Sequence, residues 1–307
     1  MKLIINIIFI SLVLAQIPSK SNDIKKKIKK SRLNLNVGGI IPEKMHGDER
    51  ANSLAPHQIE EIRLRARDYE SLDATKDDIV LIKTSKGQMK LRLFPNIAPN
   101  HCNNFKKLAN SGFYNGTLFH RIIPGFMIQG GDILTRDSKK ENDGQGGPGW
   151  TIDEEFSDLK HKRGTLSMAR SQDRNSAGSQ FFICVADTPW LDGKYTIFGE
   201  VVEGDYLIDS IVNSPTDYSF TKAKAVSNVK PDDPSEWITI GDPKTRKKLY
   251  FKVPEGVDRY SFELETKKLL RSDSPIAPIE IISMEVVNKI DMLMDPVITI
   301  PNNEKAK

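Results

Sequence analysis

FHRIIPGFMIQGGD, residues 119–132, is the stretch on which the reading of this chain turns. Two apolar runs lie on either side of Pro124 and Gly125, which predicts strands over 118–122 and 127–130 joined by a tight turn. The same fourteen residues hold Arg121, Phe119, Phe126, Met127, Gln129 and two adjacent glycines, with neither a nucleophile nor a pair of acids beside them. A site built this way does something other than ordinary hydrolysis.

Working outward, DIVLIKTSKGQMKLRLF (78–94) alternates around Ser85, Lys86 and Gly87 and predicts a hairpin. A helix follows over 99–112, with Pro99 near its start, Phe105 and Leu108 on one side and Gly112 as its stop. Further strands are expected over 164–169, 180–186 and 196–202, separated by glycine, proline and aspartate, and a second helix over 203–212. This is the pattern of a closed or sandwiched antiparallel sheet. Upstream, 55–75 reads as an amphipathic helix with Ile59, Ile62, Ala66 and Tyr69 three and four residues apart and Pro56 in its first turn.

The chain has 307 residues and a net charge of +4, enough for one large domain with extensions and too little basic excess for a nucleic-acid footprint. Two cysteines, Cys102 and Cys184, lack any metal-binding spacing, which leaves two free thiols or one disulfide. Residues 1–15 combine Lys2, an apolar run and the small residues Val13 and Ala15, as in a secretory signal peptide, so the protein is expected to be exported, periplasmic or secreted. An uncleaved membrane anchor is the competing reading, although the run is shorter than a span of about 20 residues. The lysines of 25–32 tell against both, because positive charge beyond an apolar segment is retained on the cytoplasmic side. Residues 16–54 form a basic flexible linker, open to weak contact with an anionic membrane surface, and 289–307 a tail without a retention address.

No GxSxG, HExxH or GxxxxGK[ST] occurs. What recurs is apolar and aromatic residues beside fixed donors, a setting for a compact apolar ring attached to an amide, and proline is that ring. FHRIIPGFMIQGGD, GTLSMAR (164–170), NSAGSQFFI (175–183) and WLDGKYTIFGEV (190–201) resemble, in order, the signatures of cyclophilin-type peptidyl-prolyl cis/trans isomerases. SPIAPIEIISMEVV (274–287) resembles the family's closing strand, and GGPGWTIDEEF (146–156) its bacterial branch.

The resemblance implies a mainly β fold over 76–288, an eight-stranded closed antiparallel β-barrel capped by two α-helices, active without metal or cofactor. It implies that Arg121 is the donor to the proline nitrogen and that Gln129 orients it. Phe126, Met127, Phe182 and Leu191 then line the proline pocket with Trp190 at its edge, while Ala169, Arg170 and Gln180 border the substrate strand. Taken singly these residues would pass as core, surface and strand positions; at the family's spacing they form a site. Tyr195 stands where many relatives carry histidine, and Arg170 where asparagine is common. His120 reads as structural.

The chain also departs in length, with an insertion over 220–271. EWITIGDPKTRKKLYFKV (236–253) alternates as a hairpin and RYSFELE (259–265) suggests another strand, so an inserted β element is expected, either a surface excursion or a platform for partners. The resulting expectation is a monomeric isomerase of proline-containing polypeptide clients outside the cytoplasm. The rival is a chaperone or adaptor module that holds proline segments with little turnover.

Overall fold

Alternation of apolar and solvent-facing side chains makes the first ribbon. In the computed structural model, which describes residues 53–226 and 234–289, β1 (Asp78–Thr84) and β2 (Gly87–Leu93) pair antiparallel, with Val80 opposite Leu91 and Ile82 opposite Met89, all four buried. The turn is Ser85–Lys86, and Thr84 Oγ1 accepts from the Lys86 amide at 3.0 Å and donates to the Gly87 carbonyl at 2.9 Å. The expected signal peptide at 1–15, the expected linker at 16–54 up to residue 52 and the expected tail beyond residue 289 lie outside the described residues.

The decisive stretch forms a second hairpin, β3 (Arg121–Ile123) with β4 (Met127–Gly130), shorter at its start than the sequence suggests. Its turn places Pro124 and Gly125 at the two central positions, closed by a 3.0 Å bond from the Phe126 amide to the Ile123 carbonyl. Gly125 has φ +74, as a type II turn needs at its third residue. Strands β5 (Thr165–Met168), β6 (Phe181–Cys184), β7 (Ile197–Glu203) and, near the end, β10 (Ile281–Asn288) complete one antiparallel sheet of order β10-β1-β2-β7-β5-β6-β4-β3.

The expected closed barrel is corrected here. No ladder joins the end strands β3 and β10, and the sheet curls as an open half-barrel. Single contacts bridge the gap: Phe119 donates to the Ile279 carbonyl at 2.9 Å, Ile122 to Asp273 at 3.0 Å, and Leu118 bridges Glu280. The segment that would complete the ladder contains Pro275 and Pro278, which carry no amide donor.

Helix α1 (Pro56–Asp68) buries Ile59, Ile62 and Ala66 as its spacing predicts, and Arg65 Nε donates to the Ser111 carbonyl at 3.1 Å. It is shorter than 55–75, and Tyr69 is its half-buried C-cap. Helix α2 (Pro99–Asn110) packs on β7 and β10, and α3 (Tyr206–Val212) on β2, β3 and β4. Between them lies a ring cluster in which Phe105 meets Phe181 edge-on at 5.5 Å and Phe198 at 5.1 Å, with Tyr114 and Phe119 against Phe181. Cys102 and Cys184 are both free and buried.

The insertion is more than a hairpin. After α4 (Asp217–Ala223), β8 (Trp237–Gly241) and β9 (Lys248–Lys252) pair with Ile238 opposite Phe251 and Ile240 opposite Leu249, all buried. Residues 259–265, expected as a strand, begin α5 (Arg259–Leu269) instead. The Asp258 carboxylate accepts from the Ser261 amide at 2.8 Å, capping the first turn, and Phe262, Thr266 and Leu269 fall on one buried helical face. Capping and a period of 3.6 residues override the short run of strand-forming residues. Because Phe105 has no solvent exposure and sits at the centre of the ring cluster, Phe105→Ala is expected to cost about 3–5 kcal/mol in urea unfolding, with an unchanged slope.

Candidate active site

Antiparallel register brings the site residues to one outer face of the sheet. Arg121 pairs with Gln129 across the β3–β4 hairpin, and Gln129 pairs in turn with Phe182 on β6. Met127, Phe182 and Leu191 are buried together with Cys184, and Phe126, Ile123, Ala169 and Tyr195 pack around them in a cluster of their own, apart from the main core. Trp190, 55% exposed, stands at the edge with its ring 5.8 Å from Phe126. The structure thus brings together Arg121, Gln129, Phe126, Met127, Phe182, Leu191, Trp190 and Tyr195, with Ala169, Arg170 and Gln180 along the adjoining rim.

A chain of side-chain amides holds the arginine. Gln180 Nε2 donates to the carbonyls of Gly144 and Gly146, each at 2.9 Å, so its Oε1 is left to accept from Gln129 Nε2, also at 2.9 Å. Gln129 Oε1 is thereby turned towards Arg121, whose Nη1 donates to it at 3.3 Å. Every amide orientation follows from the one before, because a glutamine has one accepting and one donating end. The glycine loop at the far end is fixed in turn: the buried Asp132 accepts from the Gly144 and Leu134 amides, and a Cβ at Gly146 would lie 1.9 Å from Asp132 Oδ1. From outside, Arg63 Nε on α1 donates to the Gly147 carbonyl at 3.0 Å. A cavity of about 710 Å³ opens beside the pocket, bordered by this loop, Gln129, Ala169, Arg170 and Gln180.

The two departures noted in the sequence meet in space. The Arg170 guanidinium lies 4.7 Å over the Tyr195 ring, and its Nε and Nη2 donate to the Lys194 carbonyl at 3.1 and 3.0 Å. Tyr195 also meets Phe182 edge-on at 5.8 Å. The Arg170 side chain therefore braces one wall of the pocket through a cation–π contact.

Sequence reading missed the layer behind the pocket. His161 stacks on Phe182 with ring centroids 6.1 Å apart; its Nδ1 is 3.0 Å from Asp192 Oδ1 and its Nε2 3.1 Å from Ser167 Oγ. Ser167 donates to the Thr196 carbonyl at 2.9 Å and has no exposure, so this Ser, His and Asp contact is closed off beneath the ring and cannot meet a substrate. No motif spacing signals it, since its members come from three separate segments. Asp273 was missed as well; its Oδ2 lies 4.0 Å from Arg121 Nε. Burial pushes the Cys102 thiol up to about 12 and the Cys184 thiol up to about 11, which keeps both protonated and unreactive at neutral pH.

Residues 79–231 match the family model described as cyclophilin type peptidyl-prolyl cis-trans isomerase/CLD. A probable peptidyl-prolyl cis-trans isomerase of Brucella suis is 45% identical over 143 residues, 45% of this chain and 73% of that one. The chain belongs to the cyclophilin family. A peptidyl-prolyl cis-trans isomerase of Synechococcus elongatus is 47% identical over 127 residues, 41% of this chain and 82% of the relative. A crystal structure of a Cryptosporidium parvum cyclophilin type peptidyl-prolyl cis-trans isomerase, determined in the presence of the dipeptide Ala-Pro, aligns with TM-score 0.47 at 30% identity over 68% of this chain and 99% of that one. The family match begins after α1 and includes only the first part of the insertion.

The buried imidazoles set an acid limit on this fold. Burial drives His161 and His101 below their ordinary value, and the facing carboxylates Asp192 and Glu155 only partly oppose it. A depressed folded-state value means the neutral forms contribute stability that is present above about pH 6.5 and lost as pH falls through the lowered value. The urea midpoint is expected to decline progressively below pH 6.5, and His161→Gln to flatten that decline.

Proposed function

We propose that this cyclophilin accelerates X-Pro isomerisation by holding the proline ring in the Met127, Phe182 and Leu191 pocket while Arg121 donates to the twisting amide. The peptide bond resists rotation by roughly 18–20 kcal/mol because the nitrogen lone pair is delocalised. As the bond twists, the nitrogen becomes pyramidal and regains that lone pair, so a nearby donor binds the twisted state more tightly than either planar one. Arg121 meets the need: a guanidinium is a rigid, planar cationic fork, and the amide chain from Gly144 and Gly146 fixes its direction. No covalent intermediate is required.

The observation that carries this reading is a guanidinium oriented by Gln129 at the mouth of a separate apolar pocket. A pure binding module has no use for a donor directed at the rotating nitrogen, and this favours turnover over the adaptor reading. Phe126, Trp190 and Tyr195 close the pocket's rim, and Ala169 and Arg170 present the strand edge to the client backbone. The clients are proline-containing polypeptides, exported along with the enzyme if residues 1–15 act as a signal peptide, in which case the mature chain begins at Gln16.

Exchange of a short X-Pro peptide, followed by NMR, tests the proposal. Arg121→Ala is expected to lower kcat/KM by about 10²-fold while peptide binding persists; loss of binding with turnover per bound peptide unchanged would return the groove to the adaptor reading. Gln180→Leu, which cuts the amide chain one residue further back, is expected to lower kcat by about tenfold with little change in KM, because it misdirects the donor without emptying the pocket.

A further inference from the structure

The insertion carries a charged surface to the rim of the groove. Between β8 and β9 the chain turns at DPKTR, and residues 244–248 hold Lys244, Arg246, Lys247 and Lys248, all exposed, with no acid among them. The turn is firmly built. Buried Asp242 accepts from the Lys244 amide at 2.9 Å, Thr245 Oγ1 at 2.6 Å, the Tyr218 hydroxyl at 3.1 Å and Lys222 Nζ at 2.8 Å. Burial opposes the Asp242 charge, but these donors outweigh it and hold the carboxyl well below the usual range. Arg246 itself takes φ +61, with its amide bonded to the Asp242 carbonyl at 2.8 Å.

The one acid inside the turn is therefore spent on building it. Among the described residues no ion pair engages Arg246, Lys247 or Lys248. Lys244 fixes where the surface lies, because its Nζ bonds Asp273 Oδ1 while Asp273 Oδ2 faces Arg121 Nε at 4.0 Å, and the Asp273 carbonyl accepts from the Ile122 amide at 3.0 Å. Three residues span at most about 10 Å, which keeps Arg246 and Lys247 within that distance of Lys244 along the backbone.

We propose that this basic turn is a docking surface for acidic side chains that flank the client's proline, so that the preferred substrates are X-Pro bonds in acidic sequence context. The inference rests on the isomerase reading of the groove. A polypeptide seated at Arg121 leaves the groove beside Asp273, whose own charge is shared by Lys244 and Arg121, and next meets unpaired cations. A lipid surface is the less favoured partner, since the patch is one turn wide and tied to the catalytic strand.

The test compares two X-Pro peptides, one with neutral flanks and one with glutamates on both sides, turned over by the full chain and by Arg246→Glu/Lys247→Glu/Lys248→Glu. Lys247→Gln/Lys248→Gln, which leaves the left-handed position untouched, is the second variant. Wild type is expected to favour the acidic peptide by about three- to tenfold in kcat/KM at low salt, mainly through KM, with the preference shrinking as salt rises. The triple variant should lose or invert that preference and keep its rate on the neutral peptide. Equal rates of wild type on both peptides, or a preference that survives in both variants, would overturn the proposal. So would a variant that loses only its sedimentation with phosphatidylserine vesicles. Turnover of neither peptide counts against the isomerase reading alone; calorimetric binding of the same pair then still reads the acidic preference.

Discussion

In the proposed mechanism, a cation that must meet a lone pair only while a bond is twisting cannot be free to swing. Arg121 sits on a three-residue strand at the end of the sheet, with nearly half its side chain open to solvent, and nothing in the strand itself holds the guanidinium in one direction. The restraint is imported through Gln129 and Gln180 from two backbone carbonyls of a glycine-containing loop. Each glutamine has one donating and one accepting end, so the loop dictates the arginine's partner in a single sense. The site depends on this polarity more than on any one bond length.

The same dependence explains why parts of the chain far from the pocket matter to it. Asp132 and the close approach at Gly146 shape the loop, and Arg63 secures it from α1. The N-terminal helix thus contributes to the geometry of the groove although it lies outside the family match. On the other side, His161 backs Phe182 and Arg170 braces Tyr195, so the apolar wall is supported by polar side chains behind and beside it. Such supports keep a pocket rigid at modest cost, because each polar atom they bury has a partner.

The insertion is joined to the groove by charge, through Lys244 on Asp273 and Asp273 facing Arg121. Its hairpin and α5 bury Ile238, Ile240, Leu249, Phe251, Phe262 and Leu269, with α5 packed on β8, and the exposed turn between the strands presents charge. The contact between Lys244, Asp273 and Arg121 ties that turn to β3 at the place where the prolines of 275 and 278 prevent a ladder from forming. An open sheet edge, usually a liability, here supplies the attachment for an added element.

Local pattern made much of this protein readable. The β1–β2 hairpin, the buried face of α1, helix α2 and the Pro124–Gly125 turn follow from alternation, helical spacing and turn chemistry, all properties of residues within a few positions of each other. The site residues were legible as a set only because their four motifs resemble a known family; alternation alone would have left Met127 and Phe182 as core. Residues 259–265 were misread because a short run with aromatic residues suits a strand as well as a helix until its cap at Asp258 is seen. Sequence by itself thus determined most of the strands, the turns and the residue types available at Arg121. Tertiary structure alone decided that the sheet stays open, that Arg170 meets Tyr195, that His161 lies behind Phe182, and that Asp273 joins the insertion to Arg121. Those contacts join segments between 21 and 152 residues apart or depend on missing proline donors, and no local periodicity records which distant side chains a curled sheet brings within reach.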